Sequence, residues 1–256
     1  MKKMWLLGAL VTLSLQAFAL NAQTLKLGTD PTFAPYESKS PSGEIVGFEI
    51  DIAKAMCQKM GVKPVWVEND FDSIIPALQA KKFDAIVSGM AVNEKRKQQV
   101  NFTDKVFHTP AGMVVRKGSG LKTLAASLKG KSVGMQQGTI FEQYARKYYS
   151  PYGVNVTPYK TPDLYRADLL AGRLDAVMDD SVVLQTTLLS KPEGKDYEFA
   201  KPALRDEIFG VGAAFGVRKD DTALLQKLNK ALAAIRKDGT YDKIAKKYFT
   251  FDPYGD

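Results

Sequence analysis

Short apolar runs alternate with amphipathic helical patterns along most of this 256-residue chain, and that alternation limits the folds it can adopt. Helical periodicity predicts helices over 48–60, 72–81 and 222–237, the last preceded by a cap at Asp220 or Asp221. This order is typical of an α/β fold with largely parallel sheets. The apolar runs predict strands over 24–28, 64–67, 84–88, 112–116, 132–135, 156–159, 175–178 and 213–217.

Small and polar residues follow several of these strands, at the sheet edge where ligands bind in α/β folds. We therefore expect a ligand site built from four separate chain segments. The residues are Asp30 and Phe33 after the first strand, Ser88, Gly89, Met90 and Ala91 around the end of the third, Gln136, Gly138 and Thr139 after the fifth, and Asp179 and Asp180 after the seventh.

Arg96 lies at the start of a short helical pattern, with Asn93 as a candidate N-cap. Unpaired backbone amides at a helix start favour an anion, and an arginine fork can donate two hydrogen bonds to a carboxylate. These features predict a carboxylate site at Arg96. The alternative is that Lys95, Arg96 and Lys97 form an ordinary solvated basic run.

Gly138 and Thr139 open the next helical pattern. Their backbone either holds the same carboxylate or simply makes a tight strand-to-helix turn. One of Asp179 and Asp180 is expected to accept hydrogen bonds from a ligand ammonium. A helix cap is the alternative role, and both roles fit because two carboxylates are present.

Two phenylalanines lie close in sequence to acidic residues. Asp30 precedes Phe33, and Phe71 follows Asp70 at a predicted helix start. An aromatic face beside a carboxylate suits a long cationic side chain, whose aliphatic stem packs while its charged end is neutralised. Packing in the core is the alternative for each phenylalanine.

Cys57 and His108 are the only cysteine and histidine in the sequence. They exclude an intrachain disulfide and any metal site built from several of these residues, and we expect no metal and no cofactor. Motifs for serine hydrolases, zinc proteases and phosphate or dinucleotide binding are absent, so no catalytic residue is predicted. The net charge of +8 comes from 36 basic and 28 acidic residues scattered along the chain, which favours a solvated surface over nucleic-acid binding.

The N-terminal segment has the pattern of a secretory signal peptide. Lys2 and Lys3 precede an apolar run over 5–15, and small residues suitable for cleavage follow within 17–22. The apolar run is well short of the ~20 residues that span a bilayer. We therefore expect residues 1–22 to be removed and the mature protein to be exported to a periplasm.

Short sequence runs, in this order and at these spacings, also connect the chain to a known family. Because of them, nearly the whole mature chain resembles the periplasmic lysine/arginine/ornithine-binding and histidine-binding proteins of ABC importers. The runs are Gly28-Thr29-Asp30, Ala34-Pro35, Gly47-Phe48-Glu49-Ile50-Asp51, Phe71-Asp72, Ile75-Pro76-Ala77-Leu78, Phe83-Asp84-Ala85-Ile86, Leu128-Lys129-Gly130-Lys131, Ala171-Gly172-Arg173-Leu174-Asp175-Ala176, Asp238-Gly239-Thr240-Tyr241 and Lys246-Lys247-Tyr248-Phe249.

The resemblance implies a two-lobed periplasmic binding protein fold, in which each lobe is a mixed, mostly parallel sheet flanked by helices. The first lobe would hold residues 23–108 and 212–256, and the second would hold 112–208. Two strands would cross between the lobes near 107–111 and 208–212. Hinge closure over the ligand is the behaviour of such proteins.

The resemblance also implies how the two ends of an amino acid would be held. Arg96 would bind the α-carboxylate with help from backbone amides near Ala91 and Ile140, and Asp180 would bind the α-ammonium. The partners would be a cationic amino acid and a membrane ABC permease, and the protein would be a monomer that binds no nucleic acid.

The ligand side chain would reach Asp30 and Ser88 between the rings of Phe33 and Phe71, again as the resemblance implies. This arrangement favours arginine, lysine, ornithine or histidine as the ligand. Two other functions compete with a transport role. One is a periplasmic enzyme on the same scaffold, similar to cyclohexadienyl dehydratase, and the other is an amino-acid sensor module.

The sequence departs from the family pattern at four positions. Ala91 replaces a hydroxyl residue that helps to hold the ammonium, so one ligand contact is expected to be lost. Ile140 replaces a threonine, and Gly89 replaces a serine found in similar binding proteins. Pro64 stands where many members have a second cysteine, so Cys57 is expected to be a free thiol.

Overall fold

The computed structural model describes residues 23–255, so the predicted signal peptide at 1–22 lies outside the described residues. Within 23–255, no helix combines the length and apolarity needed to cross a bilayer. The strands are β1 (Thr24–Thr29), β2 (Thr32–Phe33), β3 (Glu37–Lys39), β4 (Ile45–Val46), β5 (Lys63–Glu68), β6 (Ala85–Ile86), β7 (Asn101–Phe102), β8 (Ala111–Arg116), β9 (Ser132–Gln136), β10 (Asn155–Tyr159), β11 (Ala176–Asp180), β12 (Tyr197–Phe199) and β13 (Gly216–Val217). The helices are α1 (Phe48–Met60), α2 (Ile74–Gln79), α3 (Glu94–Lys97), α4 (Ile140–Tyr148), α5 (Pro162–Leu170), α6 (Ser181–Leu184), α7 (Thr222–Lys237) and α8 (Thr240–Tyr248).

The first large sheet has the strand order β5-β1-β6-β13-β7. β1 runs parallel to both β5 and β6, whereas β13 runs antiparallel to β6 and β7. Along β1, Leu25 and Leu27 are buried while Thr24 and Lys26 are exposed, which is the period of two expected of a strand that packs on one face. Helices α1, α7 and α8 contribute to the core that covers this sheet.

The second large sheet has the order β10-β9-β11-β8-β12. β9 runs parallel to β10 and β11, and β8 runs antiparallel to β11 and β12. The two sheets, with their separate buried clusters, give the mixed α/β architecture of two lobes. Each sheet contains more antiparallel strand pairs than the sequence predicts. The reason is that β8 and β13 each join their sheet directly after the chain crosses between the lobes, rather than after a helix.

Helices α1 and α7 have the bounds that periodicity predicts. α1 ends where Gly61 adopts a left-handed conformation with φ of 68°, which glycine allows without a side-chain clash. α7 begins after Asp221, whose carboxylate accepts a hydrogen bond from the Leu224 amide at 3.2 Å, so Asp221 is the cap rather than Asp220. Cys57 on α1 is buried and free, as predicted.

Three predicted elements are shorter in the structure. The strand predicted over 84–88 is reduced to β6, because the backbone turns at Gly89 with φ of 50°. The strand predicted over 213–217 is reduced to β13, since Ala213 makes only isolated bridges to Ala91 and Phe107. The helix predicted over 72–81 begins as a 3₁₀ turn at Phe71–Ser73 before α2.

The two crossings between the sheets lie side by side, since Phe107 and Ala213 form an antiparallel bridge. The second crossing contains a 3₁₀ turn at Glu207–Phe209 instead of the expected strand. Gly210 follows with φ of 73°, and a Cβ there would lie 2.2 Å from the carbonyl oxygen of Val92. A glycine is therefore required where this crossing passes the first lobe.

Candidate ligand-binding site

A cavity lies between the two lobes. Its wall combines the ends of β1, β9 and β11 with the segment that follows β6. All of the predicted site residues except Met90, Gly138 and Asp179 line it. The lining predicted residues are Asp30, Phe33, Phe71, Ser88, Gly89, Ala91, Arg96, Gln136, Thr139, Ile140 and Asp180.

Arg96 is a buried cation in this wall, with only 5% of its surface exposed. Its backbone amide donates to Oδ1 of Asn93 at 2.9 Å, so Asn93 is the N-cap of α3. Its guanidinium donates from Nη1 to the Ala91 carbonyl at 2.8 Å and lies 5.3 Å from the ring centre of Phe71. Burial lowers the pKa of Arg96 to about 10, which still leaves it charged at neutral pH. Arg96 is therefore not part of a solvated basic surface.

Asp180 is the cavity carboxylate at the end of β11, and only 6% of its surface is exposed. It caps α6, because Oδ1 accepts from the backbone amides of Val182 at 2.8 Å and Val183 at 3.2 Å. The hydroxyls of Thr109 and Tyr36 also donate to it. Burial raises the pKa of Asp180 to about 6, and these donors oppose the rise.

Asp179 does not line the cavity. Its side chain accepts hydrogen bonds from the Tyr165 hydroxyl and, at 2.7 Å, from the backbone amide of Asp180. Complete burial raises the pKa of Asp179 to about 7. The two sequence-predicted roles, helix cap and cavity carboxylate, are thus combined in Asp180 alone.

Asp30 is the second acidic group in the wall, with 6% of its surface exposed. Its carboxylate accepts hydrogen bonds from the Thr32 hydroxyl at 2.9 Å, the Phe71 amide at 3.2 Å and Nε2 of Gln136 at 2.8 Å. Burial raises the pKa of Asp30, although these donors favour its ionised form. The Ser88 hydroxyl accepts from the backbone amide of Asp30 at 2.9 Å, which links the ends of two strands.

The turn between β9 and α4 closes the opposite side of the cavity. Thr139 caps α4 by accepting from the Glu142 amide at 3.2 Å, and its hydroxyl donates to the Gln136 carbonyl at 2.6 Å. Gly138 does not line the cavity. Its φ is 74°, a Cβ there would lie 2.8 Å from Cα of Asp72, and its carbonyl accepts from Nη2 of Arg96 at 3.1 Å.

Met90 is also absent from the cavity wall. It is 1% exposed and packs in a core cluster with Ile74, Phe83 and Val100. The backbone explains its direction, since the turn at Gly89 sends the next side chain into the core beneath β6. The sequence prediction named a segment that borders the cavity but not which of its side chains faces it.

The model of the bacterial extracellular solute-binding proteins, family 3, matches residues 25–251. The chain belongs to this family. A histidine-binding periplasmic protein of Salmonella typhimurium is 48% identical over 240 residues, covering 93% of this chain and 92% of the relative. The lysine/arginine/ornithine-binding periplasmic protein of Escherichia coli is 46% identical and covers 100% of this chain and 99% of the relative.

Solved structures agree with this assignment. A Salmonella typhimurium periplasmic binding protein with high arginine specificity has a TM-score of 0.83 and 36% identity, covering 90% of this family 3 protein and all of that chain. An ancestral amino-acid-binding protein, a precursor of cyclohexadienyl dehydratase, has a TM-score of 0.78 and 32% identity, covering 89% of this chain and 96% of that one.

Several residues of the wall of this solute-binding protein have no signal in the local sequence. Glu37 is 1% exposed and lines the cavity at the start of β3, and Thr109 lines it at the first crossing. Other lining residues are Phe107, His108, Ala111, Phe141, Phe209, Gly212 and Ala213. Those within 107–111 and 208–212 belong to the predicted hinge crossings. Their position beside the hinge could have predicted that they line the cavity.

Polar contacts join the two lobes around the cavity. Arg96 reaches the Gly138 carbonyl, and Gln136 reaches Asp30, as described above. Nε2 of Gln137 donates to Asp72 at 2.8 Å, and Lys160 forms an ion pair with Asp70 at 2.9 Å. Within residues 23–255, no group of three or more histidine, cysteine, aspartate or glutamate residues could hold a metal ion.

Proposed function

We propose that this solute-binding protein captures an amino acid with a cationic side chain and delivers it to an ABC permease. The observation that carries the proposal is that Arg96 and Asp180, a buried cation and a buried carboxylate from different lobes, line one cavity. Together they complement the carboxylate and the ammonium of a zwitterion. A ligand that contacts both lobes stabilises the closed form, because it binds that form better than the open one.

The guanidinium of Arg96 would hold the α-carboxylate through charge-assisted hydrogen bonds, with help from amides near Ala91 and Ile140. Asp180 would accept from the α-ammonium. Four donors already fix its orientation, so it would bind without rearranging. Ala91 offers no hydroxyl, so the ammonium would have one donor–acceptor contact fewer than in the family pattern.

The ligand side chain would extend toward Asp30 and Ser88, between Phe33 and Phe71. Asp30 would neutralise a guanidinium or ammonium group, and the aromatic rings would pack on its aliphatic stem. Relatives named for histidine and for lysine, arginine and ornithine support a basic ligand. The L-arginine-binding protein of Pseudomonas aeruginosa, 43% identical, adds to this support.

The same proposal covers the organisation and the cellular role of the protein. Lobe 1 would comprise residues 23–108 and 212–256, and lobe 2 residues 112–208, with hinges near 107–111 and 208–212. The protein would work as a monomer in the periplasm after removal of residues 1–22. It would need no cofactor, bind no nucleic acid and catalyse no reaction, since relatives are named as binding proteins.

A thermal-shift screen of the purified protein tests this function. Arginine, lysine, ornithine and histidine should raise the unfolding temperature, because a ligand at 1,000 times its Kd stabilises the folded state by about 4 kcal/mol. Calorimetry then ranks their affinities. No shift with any of the four would refute the proposal, and conversion of prephenate by the protein would establish the competing dehydratase function.

A further inference from the structure

Within residues 23–255, two buried carboxyl groups at or just behind the cavity wall form no ion pair with a basic side chain. Glu37 opens β3 and is 1% exposed, and Glu49 in the first turn of α1 is 0% exposed. Among the described residues, neither oxygen of Glu37 has a hydrogen-bond partner of normal geometry, and neither has Oε1 of Glu49. Oε2 of Glu49 accepts from the backbone amide of Gly89. Buried carboxylates are costly unless they are paired or protonated.

The two side chains converge at Gly89. A Cβ at this position would lie 3.3 Å from Oε1 of Glu37 and 2.9 Å from the ring of Phe33, and the φ of 50° also favours glycine. Both carboxyl groups thus approach the same residue, since Oε1 of Glu37 lies beside Gly89 and Oε2 of Glu49 accepts from its backbone amide. Because an ionised carboxylate has no donor, a hydrogen bond between two carboxyl groups requires one proton.

The groups around the pair explain why a proton is held there. Asp30 adds a negative charge, and the Tyr36 phenol is a further titratable neighbour. The Ser88 hydroxyl, the Gly89 amide and the N-terminus of α1 favour ionisation. Burial nevertheless dominates. It raises the pKa of Glu37 well above its usual range, with Glu49 adding to the rise, and it raises the pKa of Glu49 to about 7.

We propose that Glu37 and Glu49 share one proton in the ligand-free protein and release it when the cationic end of a ligand side chain enters the cavity. Glu37 lines the cavity, whereas Glu49 lies behind it on α1. The incoming positive charge replaces the proton as the group that neutralises the pair, and the O–H bond gives its proton to the buffer. This inference rests on the proposed function. It means that the pair releases its proton only when the side chain of the ligand is positively charged.

The proposal fixes the sign of the pH dependence. When the pair holds a proton, a cationic ligand must displace it, so affinity for arginine rises with pH by up to about tenfold per pH unit below neutrality. Citrulline has the same shape as arginine but carries no side-chain charge. Its affinity should therefore follow only the ionisation of Asp180, whose pKa is about 6 and which binds the α-ammonium of both ligands, and should change less than that of arginine over the same pH range.

Calorimetry in phosphate and Tris buffers tests the exchange, because their different heats of ionisation report the number of protons released. We expect arginine to release close to one proton more than citrulline. Glu49→Gln should still bind arginine but without this excess, since the new amide donates to Glu37 and keeps it ionised. Glu198→Gln, at an exposed position on β12, is the matched control and should retain the excess.

The outcomes separate this inference from the function on which it rests. Equal proton release by arginine and citrulline would overturn the inference while leaving the transport function intact. An excess that persists in Glu49→Gln would also overturn it, because the proton would then come from another group such as Asp30. If Glu49→Gln does not fold, Glu37→Gln takes its place, because its amide donates to Glu49 in the same way, and an excess that persists in that variant overturns the inference.

Discussion

Replacement of Arg96 by alanine tests the centre of the proposed site. The side chain is 5% exposed, donates to the Ala91 and Gly138 carbonyls and, as proposed, faces the ligand carboxylate. Removing one partner of a buried ion pair costs about 3–5 kcal/mol, because the other charge stays buried without compensation. At about 1.4 kcal/mol per tenfold change, arginine binding should weaken by about 150- to 4,000-fold.

Calorimetry measures this loss, and a matched control separates it from a general effect of charge. Arg146 on α4 has a side chain that is 56% exposed and pairs with Glu142 one helical turn away. An exposed pair of this kind contributes less than about 1 kcal/mol, so Arg146→Ala should bind within about fivefold of the unaltered protein. A Kd for Arg96→Ala within tenfold of the original, in a variant that unfolds cooperatively, would refute the assignment of Arg96.

Two further substitutions test the acidic groups. Asp30→Asn should weaken arginine binding by about 1.5–3 kcal/mol, which is the contribution of a hydrogen bond to a charged group. Citrulline binding should change less than threefold. Equal losses of affinity for both ligands in calorimetry would contradict the role of Asp30. Asp179 has its pKa raised to about 7 in the folded state, so its burial destabilises the protein increasingly as pH rises between about 4 and 7. In denaturant titrations, the free energy of unfolding of Asp179→Asn should therefore fall less steeply with pH than that of the unaltered protein, by up to about 1.4 kcal/mol per pH unit. An unchanged slope of the free energy of unfolding against pH would show that Asp179 does not titrate there.

Much of the fold could be predicted because its signals are local. A left-handed glycine ends α1 and an aspartate begins α7, and both lie within one turn of the helix that they delimit. The direction of β13 was not predictable in the same way. An apolar run carries no information about whether its neighbours run parallel to it, since that depends on where the chain crosses between the lobes.

The residues of the candidate site also differ in how far local sequence predicts them. Asp30, Arg96 and Asp180 were found because each follows a strand end, which is a position that sequence can locate. The choice between Asp179 and Asp180 depends on the direction in which β11 ends. Glu37 was missed because its burial depends on Glu49 and Gly89, which meet it from other parts of the chain.

Strand β13 is an interior strand of the first sheet, between β6 and β7, and without it those two strands have no shared partner. The chain makes β1, β5, β6 and β7 first, then the whole second sheet, and only afterwards β13. Until the C-terminal quarter of the chain is available, the first lobe therefore lacks both an interior strand and the cover of α7 and α8. Pairing over such long sequence separations is slow to form. The second sheet, built from one continuous segment, can therefore form before the first sheet is complete.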